Sequence, residues 1–266
     1  MLDGKRILVT GAGQGIGRAI ALELAARGAE GIAVTDLGAS QAEETARLVV
    51  ERREDAVAIP IACDLRDRDQ IEAAVERTVA ELGGLDVLVN NAGVIESALT
   101  SEHAVDTLAE DVWDAVYEVN LKAVWLATKF AAPHLRRSGR GPSIVNAGSV
   151  SGLAGFARAP IYCASKAAVV HLTRAAAIDL APDVRCNCYC PGLIDTPMAR
   201  AFIDAAPDPG RQERSMVATQ LIDRLGRPHE IAALVCYLAS DEAAFITGAA
   251  VTIDGGALAW HGVRTT

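Results

Sequence analysis

The chain has 266 residues, of which 51% are hydrophobic, and its formal net charge is −9. This length and composition predict one large α/β domain with a sizeable core and argue against a disordered chain. The acidic balance gives no electrostatic reason to bind nucleic acid or an anionic membrane. No run of about 18 apolar residues predicts a membrane span. The N-terminus enters a strand pattern without a charged-then-apolar leader, so we expect a cytoplasmic protein.

Short apolar runs bounded by turn residues alternate with stretches of helical periodicity. The predicted strands are 6–10, 31–36, 56–62, 86–91, 143–148, 184–190 and 250–254, and predicted helices lie near 15–28, 40–54, 67–82, 108–137, 160–181 and 229–240. Such alternation is typical of a parallel sheet covered on both faces. We therefore predict a doubly wound, Rossmann-like α/β fold of about seven strands in a single domain, 1–266. Two longer irregular stretches are 94–107 and 191–228.

The first predicted strand runs into TGAGQGIG, residues 10–17, which opens the first predicted helix. Glycines such as Gly11, Gly15 and Gly17 let the backbone approach a pyrophosphate, and the helix N-terminus supplies unpaired N–H groups. A Gly-rich turn can also serve only the tight packing of a helix against a strand. The position at the first crossover favours a nucleotide.

Asp36 ends the second predicted strand, nineteen residues beyond Gly17. A carboxylate at this position accepts hydrogen bonds from the adenosine ribose hydroxyls and repels a 2′-phosphate. Neither Gln14 nor Leu37 is a cation that would clamp such a phosphate. The sequence therefore predicts NAD rather than NADP, and the alternative is that Asp36 only forms a turn at the strand end.

Tyr162 and Lys166 stand four residues apart in YCASK, so both side chains lie on one helix face. A phenol ionises near pH ~10, and an ammonium about 4 Å away is worth up to ~4 kcal/mol at an effective dielectric of ~20. We expect Lys166 to lower the pKa of Tyr162, which would let the phenol exchange protons with an alcohol or carbonyl oxygen near neutral pH. The spacing alone is common on amphipathic helices and needs support from other motifs.

Further motifs follow in order: Asp64 after the third strand, NNAG at 90–93, Asn120, Ser149 and PGLIDTPM at 191–198. With the Gly-rich turn and the Tyr162–Lys166 pair, the chain resembles the short-chain dehydrogenase/reductase family in its single-domain form, from Gly4 to Gly256. The resemblance implies an oxidoreductase that transfers a hydride between NAD(H) and a secondary alcohol or ketone. It also implies a homotetramer or homodimer.

The resemblance also assigns roles to residues. Tyr162 would be the catalytic acid/base, Lys166 would lower its pKa, Ser149 would hold the substrate oxygen, and Asn120 would hold a relay water. A buried Asn in mid-helix fits a local helix bend as well. The implied cofactor-binding residues are Gly11, Gln14, Gly15, Ile16, Gly17, Asp36, Leu37, Asp64, Leu65, Asn91, Ala92, Gly93, Tyr162, Lys166, Pro191, Gly192, Ile194 and Thr196.

Asp64 is open to two interpretations, because it would meet the adenine amino group or cap the helix that follows. The chain departs from the family's pattern at Gly148, where a second serine is frequent, and at Cys186, Cys188 and Cys190, where apolar residues are usual. The three cysteines share one face of a predicted strand. Strand neighbours two apart are too distant to chelate a metal comfortably with bonds of ~2.3 Å, so we expect core residues and no metal site.

The sequence does not specify the substrate. Loop 94–107 looks longer than is common in the family, and 191–228 is predicted to be a substrate lid that orders on binding. The predicted lining residues are Met198, Phe202, Ile203, Met216, Leu221, Ile95, Leu153, Phe156 and Trp260, which alternatively pack among themselves.

A 3-oxoacyl thioester reductase and a catalytically silent NAD-binding scaffold remain alternatives. Enoyl reduction is disfavoured because similar enzymes place six residues, not three, between the tyrosine and the lysine. A nucleotide-sugar epimerase is disfavoured because such enzymes carry a longer C-terminal domain.

Overall fold

The computed structural model describes residues 2–260 and 262, and the remaining ends of the predicted 1–266 domain lie outside the described residues. Its centre is a seven-stranded parallel sheet of β1 (Arg6–Thr10), β2 (Gly31–Asp36), β3 (Val57–Ala62), β4 (Val87–Asn90), β5 (Ser143–Ala147), β6 (Arg185–Pro191) and β7 (Ala250–Ile253). The strand order is β3-β2-β1-β4-β5-β6-β7. The order reverses direction between β1 and β4, and in open α/β sheets ligands bind outside the carboxyl ends of the strands at such a point.

Helices cover both faces of the sheet. They are α1 (Gly15–Ala26), α2 (Ala39–Arg52), α3 (Arg68–Leu82), α4 (Glu110–Tyr117), α5 (Ala123–Leu135), α6 (Pro160–Asp179), α7 (Pro197–Asp204), α8 (Pro209–Val217) and α9 (Pro228–Ala239). Helices α1, α2 and α9 contribute to the hydrophobic core on one face, and α3, α5 and α6 to the core on the other. The predicted doubly wound fold is confirmed. Within the described residues, no helix has the length and apolar character needed to cross a bilayer.

The central strands are apolar on both sides, which is why they read as continuous hydrophobic runs. In β1, Ile7 and Val9 belong to one core cluster and Leu8 to the other. The same alternation recurs in β4, where Leu88 faces away from its neighbours Val87 and Val89. Side chains that alternate across a strand feed two cores only when both faces are covered.

The predicted helix 108–137 is interrupted by a π-helical turn, Glu118–Lys122, between α4 and α5. Asn120 lies in this turn and is fully buried. Its Oδ1 accepts from Val94 N (2.8 Å), and its Nδ2 donates to Val94 O (2.8 Å) and to Ser165 Oγ (3.2 Å). This supports the helix-distortion interpretation of Asn120, because the widened turn brings its amide to the loop after β4.

The stretch 191–228, predicted as irregular, contains α7 and α8. Each helix starts at a side-chain cap followed by a proline: Thr196 Oγ1 accepts from Ala199 N, and Asp208 accepts from Arg211 N. This Asp/Thr-Pro pattern is a normal helix start. A small apolar cluster holds the two helices together, formed by Ile203, Val217 and Leu225 with Leu193 and Met216 against it. Ile203 and Met216 therefore pack within the segment.

Candidate active site

A cavity of about 520 Å³ opens at the carboxyl ends of the central strands. Every predicted cofactor-binding residue lines it except Gly192 and Ile194. A Cβ on Gly192 would lie 2.8 Å from Asp254 Cα, and Ile194 is buried in the core beside α1 and α9. The cavity is thus built from the motifs that the sequence singled out, gathered from distant parts of the chain.

The glycines of the first turn serve close packing as well as the cavity. A Cβ on Gly17 would lie 2.1 Å from Gly11 O, and one on Gly11 would lie 2.7 Å from Ala92 Cα. Gly15 differs, because the nearest atom to an added Cβ is 3.6 Å away, and its φ of +55°, which like that of Gly11 lies in the left-handed region, is what requires glycine there. Both interpretations of the Gly-rich turn therefore hold for particular residues.

The N-terminus of α1 fits a phosphate group. Its N-cap residue, Gln14, makes no side-chain cap hydrogen bond, and no acidic residue lies in the first turn. The first N–H groups of a helix lack intrahelical partners and form its positive end. With the glycine turn beside it in the cavity wall, this end suits the pyrophosphate of a dinucleotide.

Asp36 is held in a fixed orientation at the other side of this turn. Its Oδ2 accepts from Gly13 N (2.8 Å) and its Oδ1 from Gly38 N (3.1 Å). Each oxygen retains a free lone pair, so the carboxylate can still accept from a ribose hydroxyl. Arg18 lies near the turn, but its guanidinium donates to Gly13 O and Thr45 Oγ1 and is committed there.

Asp64 does not cap α3. The cap is Asp67, which accepts from Asp69 N and Gln70 N, so the N-cap interpretation of Asp64 is wrong. Asp64 instead accepts from Arg66 N (2.9 Å) and from the Arg66 guanidinium (2.6 Å). The hydrogen bond from Arg66 lowers the pKa of Asp64. Arg66 also lines the cavity and was not predicted as a site residue.

The two asparagines of NNAG tie the central sheet together. Asn90 Nδ2 donates to Asn146 Oδ1 (2.9 Å) in the buried pair between β4 and β5. Asn91 Nδ2 donates to Thr10 O and Gly11 O (3.0 Å each), and its Oδ1 accepts from the Tyr189 hydroxyl (3.0 Å). These bonds hold the loop after β4 against the glycine turn, which positions the cavity wall.

Tyr162 and Lys166 lie on α6 and line the cavity, whereas Ser149 follows β5 and is buried behind the lining. The Ser149 side chain acts on the Tyr162 phenol as a hydrogen-bonding group that lowers its pKa, and Ser149 Oγ also accepts from Ser151 N (3.1 Å). Lys166 is only 3% exposed, and its Nζ donates to Ala147 O (2.9 Å) and lies 5.7 Å from the centre of the Tyr162 ring. The expected trio is therefore brought together, with the ammonium directed at the carbonyl.

The ionisation of the pair differs from expectation. Burial raises the pKa of Tyr162, the hydrogen bond to Ser149 lowers it, and the charges of Cys163 and Glu96 raise it further, with a net upward shift. Burial lowers the pKa of Lys166 to about 8. The prediction that Lys166 lowers the pKa of Tyr162 is wrong for the chain alone, because desolvation of the phenol outweighs an ammonium engaged elsewhere.

The two departures from the family's pattern explain each other. A Cβ on Gly148 would lie 2.7 Å from Cys188 Sγ and 2.8 Å from Cys190 Sγ. The two sulfurs, 3.9 Å apart, fill the space that a side chain at 148 would occupy. Cys186, Cys188 and Cys190 are all buried, as predicted for core residues. Among the described residues, no group of three or more His, Cys, Asp or Glu side chains is placed to hold a metal ion.

Sequence reasoning missed most of the apolar wall. The cavity is also lined by Thr35, Cys63, Val94, Leu99, Ala115, Val119, Ala147, Gly148, Tyr189 and Pro197, together with the predicted lid residue Met198. Most of these are neighbours of the motif residues in sequence, which is the only signal they give. Of the other predicted walls, Leu153 and Phe156 are exposed, and Trp260 donates to Thr219 O (3.2 Å).

A family model described as enoyl-(acyl carrier protein) reductase matches residues 11–257. The chain is 40% identical over 250 residues to the cis-4-hydroxycyclohexanecarboxylate dehydrogenase of Sinomonas cyclohexanicum, with 94% of each chain covered. It is 38% identical to a 3-oxoacyl-[acyl-carrier-protein] reductase of Thermotoga maritima, covering 96% of this chain and 98% of that one. The crystal structure of levodione reductase is 31% identical, covers 98% of this chain and 100% of its own, and superposes with a TM-score of 0.91.

The parallel sheet, the cavity at its carboxyl edge and the Ser-Tyr-Lys grouping define an α/β oxidoreductase with a dinucleotide site. The chain belongs to the short-chain dehydrogenase/reductase family. Members of this family use a nicotinamide cofactor, NAD or NADP, and act on small molecules.

Proposed function

We propose that the protein oxidises a secondary alcohol, or reduces the corresponding ketone, with NAD(H) as the hydride carrier. The observation that carries this proposal is a cavity lined by Asp36, Tyr162 and Lys166, with Ser149 acting on the Tyr162 phenol from behind the lining. Asp36 lies more than 100 positions before the other residues in the sequence, so the fold is what brings them to one cavity.

The choice of NAD rests on Asp36. Its carboxylate is fixed by two backbone N–H groups and keeps acceptor sites for ribose hydroxyls, whereas a 2′-phosphate at this place would meet a like charge. The neighbouring cations Arg18 and Arg66 each donate within the chain, Arg18 to Gly13 O and Thr45 Oγ1 and Arg66 to Asp64. We expect Asp36→Asn to reduce the ratio of kcat/KM with NAD to that with NADP by about 10-fold, or ~1.4 kcal/mol.

When bound, the nicotinamide ring supplies the acceptor or the donor of the hydride. In the oxidative direction, Tyr162 takes the hydroxyl proton at its phenolate oxygen, and Ser149 holds the same substrate oxygen by a hydrogen bond. Lys166 lies on the same helix face, with its Nζ 5.7 Å from the centre of the Tyr162 ring. Both N–H donors of the Asn120 amide are used by Val94 and Ser165, which leaves one acceptor site on Oδ1 for a relay water.

The substrate class is a partly apolar, medium-sized alcohol or ketone. The cavity wall includes Val94, Leu99 and Met198, whose side chains are apolar. The relatives named for a cyclic hydroxycarboxylate and for a 3-oxoacyl thioester make these two substrate groups the first to test. Enoyl reduction is not our proposal, because three residues rather than six separate Tyr162 from Lys166.

The protein acts as a homotetramer or homodimer in this proposal. Supporting it, Trp113, Tyr117 and Trp125 on α4 and α5, and Ile178 on α6, are 42–76% exposed. Large exposed apolar side chains on adjacent helices favour contact with a second copy. Light scattering at several protein concentrations gives the assembled mass directly.

The decisive experiment is a panel of secondary alcohols, including hydroxycyclohexane carboxylates and 3-hydroxyacyl thioesters, assayed by NADH absorbance with NAD and NADP. Tyr162→Phe should lower kcat by about 10²- to 10⁴-fold and leave NAD affinity unchanged, since the phenolic oxygen is the proton acceptor. Turnover of Tyr162→Phe equal to the wild-type rate would refute the mechanism. NAD binding without turnover of any substrate would support a catalytically silent scaffold instead.

A further inference from the structure

Helix α6, which carries Tyr162, has no local N-terminal cap. Its N-cap residue is Ala159, which has no polar side chain, and Pro160 at the first helical position has no N–H. The N–H groups of Ile161 and Tyr162 therefore need an acceptor from elsewhere. Glu96 supplies it: its Oε1 accepts from Ile161 N (3.1 Å) and from Tyr162 N (3.4 Å) across 65 and 66 residues of sequence.

As a purely structural cap, Glu96 would cost the fold stability. It is fully buried, and its Oε2 has no hydrogen-bond partner among the described residues. A buried carboxylate oxygen without a partner destabilises a fold. A serine at position 159 is a neutral residue of the type that caps helices and would bury no charge, so the arrangement calls for a reason beyond helix stability.

The loop 94–107 holds the start of α6 at a second place. His103 Nδ1 contacts Arg158 O (2.6 Å), and Arg158 Nη2 donates to Ser101 O (3.1 Å). Arg158 has a φ of 59°, and among the described residues it is the only non-glycine with a positive φ. A left-handed backbone persists only where its surroundings hold it. The loop therefore fixes both the chain that enters α6 and the first turn of the helix.

We propose that Glu96 is a positioning residue that acts on Tyr162 in two ways: its carboxylate caps the first turn of α6, and its buried negative charge acts on the phenol. This inference deepens the proposed function and rests on it. Val94, which bonds Asn120, and Leu99, which lines the cavity, belong to the same segment as Glu96. Loop 94–107 thereby connects the wall of the cavity to the backbone of the reacting tyrosine.

The charge of Glu96 gives this role a measurable signature. The groups that face the Tyr162 phenol are Ser149, whose hydrogen bond lowers the pKa, and Cys163 and Glu96, whose charges raise it. Lys166 Nζ lies 5.7 Å from the centre of the Tyr162 ring. A charge on Tyr162 raises the pKa of Tyr189 on β6. Removing the Glu96 charge should therefore lower the pKa of Tyr162.

Glu96→Gln separates charge from capping, because the Gln side-chain oxygen still accepts from both N–H groups. We expect the acid limb of the kcat–pH profile to move to lower pH, with the KM for NAD unchanged. The matched control is Glu102→Gln, which makes the same substitution at an exposed position of the same loop and should leave the profile in place. A Glu96→Gln profile that superimposes on that of the wild type would overturn the proposal.

Glu96→Ala removes both the charge and the cap. We expect kcat to fall about 10- to 100-fold, as for a small misplacement of a reacting group, with Glu96→Gln retaining most of the wild-type rate. Equal kcat losses in Glu96→Gln and Glu96→Ala would contradict a positioning role for the cap. If Glu96→Ala does not fold, the kcat–pH profile of Glu96→Gln still tests the proposal.

A titration that needs no substrate separates this proposal from the proposed function. The ultraviolet difference spectrum of tyrosinate, taken between each protein and its Tyr162→Phe counterpart, reports the ionisation of Tyr162 alone. A titration at lower pH in Glu96→Gln than in the wild type supports the coupling. Identical titrations overturn it, whether or not the protein turns over an alcohol. If Glu96→Gln shows this shift but the wild-type protein turns over no substrate of the panel, only the proposed function is refuted.

Discussion

Replacing Lys166 with methionine should abolish catalysis and at the same time stabilise the fold. Lys166 is 3% exposed, and burial lowers its pKa from 10.5 to about 8. A lowered pKa means that the folded state binds the lysine proton less tightly than the unfolded state does. Below about pH 8 the lysine is charged in both states, so the folded chain carries the full cost of burying an ammonium.

The size of the effect follows from the shift. Each pKa unit corresponds to ~1.36 kcal/mol, so a decrease from 10.5 to about 8 amounts to roughly 3 kcal/mol in the free energy of unfolding. The substitution also removes the hydrogen bond from Nζ to Ala147 O, and the loss of that bond costs about 1 kcal/mol. Methionine fills most of the same volume with an apolar chain. We expect Lys166→Met to be more stable than the wild type by about 2 kcal/mol near neutral pH.

Urea denaturation across a pH series measures the effect. Wild-type stability should gain on that of Lys166→Met as pH rises from about 8 to 10.5, because the folded lysine loses its proton first. Lys129→Met is the matched control, since Lys129 is exposed on α5 and its removal should give no such trend. A Lys166→Met protein no more stable than the wild type at neutral pH would refute the reasoning, as would a stability difference independent of pH.

Two further predictions concern Gly17 and Gly148, where an added Cβ would lie within 3 Å of neighbouring atoms. Gly17→Ala should destabilise the fold by about 1–3 kcal/mol and weaken NAD binding in calorimetry, because its Cβ would lie 2.1 Å from a backbone oxygen. Gly139→Ala, whose Cβ meets nothing within 4 Å, is the control, and equal behaviour of the two variants would contradict the prediction. Gly148→Ser should lower the free energy of unfolding by about 1–3 kcal/mol in urea denaturation. Combining it with Cys188→Ala and Cys190→Ala should restore most of that loss. A loss that persists in that background would show that the sulfurs are not the obstacle.

The strands and the order of motifs could be predicted because each leaves a local trace. Strands 6–10 and 31–36 match β1 and β2 residue for residue, since apolar residues on both faces make a continuous run. The break in helix 108–137 left only Asn120 as a trace, which fits a local bend but does not identify the partner that causes it. It depends on the contact between Asn120 and Val94, which are 26 residues apart. No local pattern encodes a contact of that kind.

The cap of α3 shows the same limit on a shorter scale. The sequence predicts a helix near 67–82 with Asp64 as a possible cap, but Asp67 also has the side chain that a cap needs. The helix starts at Arg68, which places Asp67 at the cap and frees Asp64 for the cavity wall. The ionisation of Tyr162 was mispredicted for a related reason, because helix spacing gives the distance to Lys166 and not the desolvation around the phenol.

The features that destabilise this fold are concentrated around one side chain. Lys166 is a buried ammonium beside Tyr162, Glu96 is a buried carboxylate with an unpartnered oxygen, and Arg158 holds a left-handed backbone just before α6. A protein that only bound NAD would need neither the buried Glu96 carboxylate nor the left-handed backbone of Arg158, and exchanging them for locally capped, unstrained alternatives would stabilise it. Their presence together at the start of α6 favours an enzyme over a silent scaffold. The stabilisation of Lys166→Met tests that argument without any substrate.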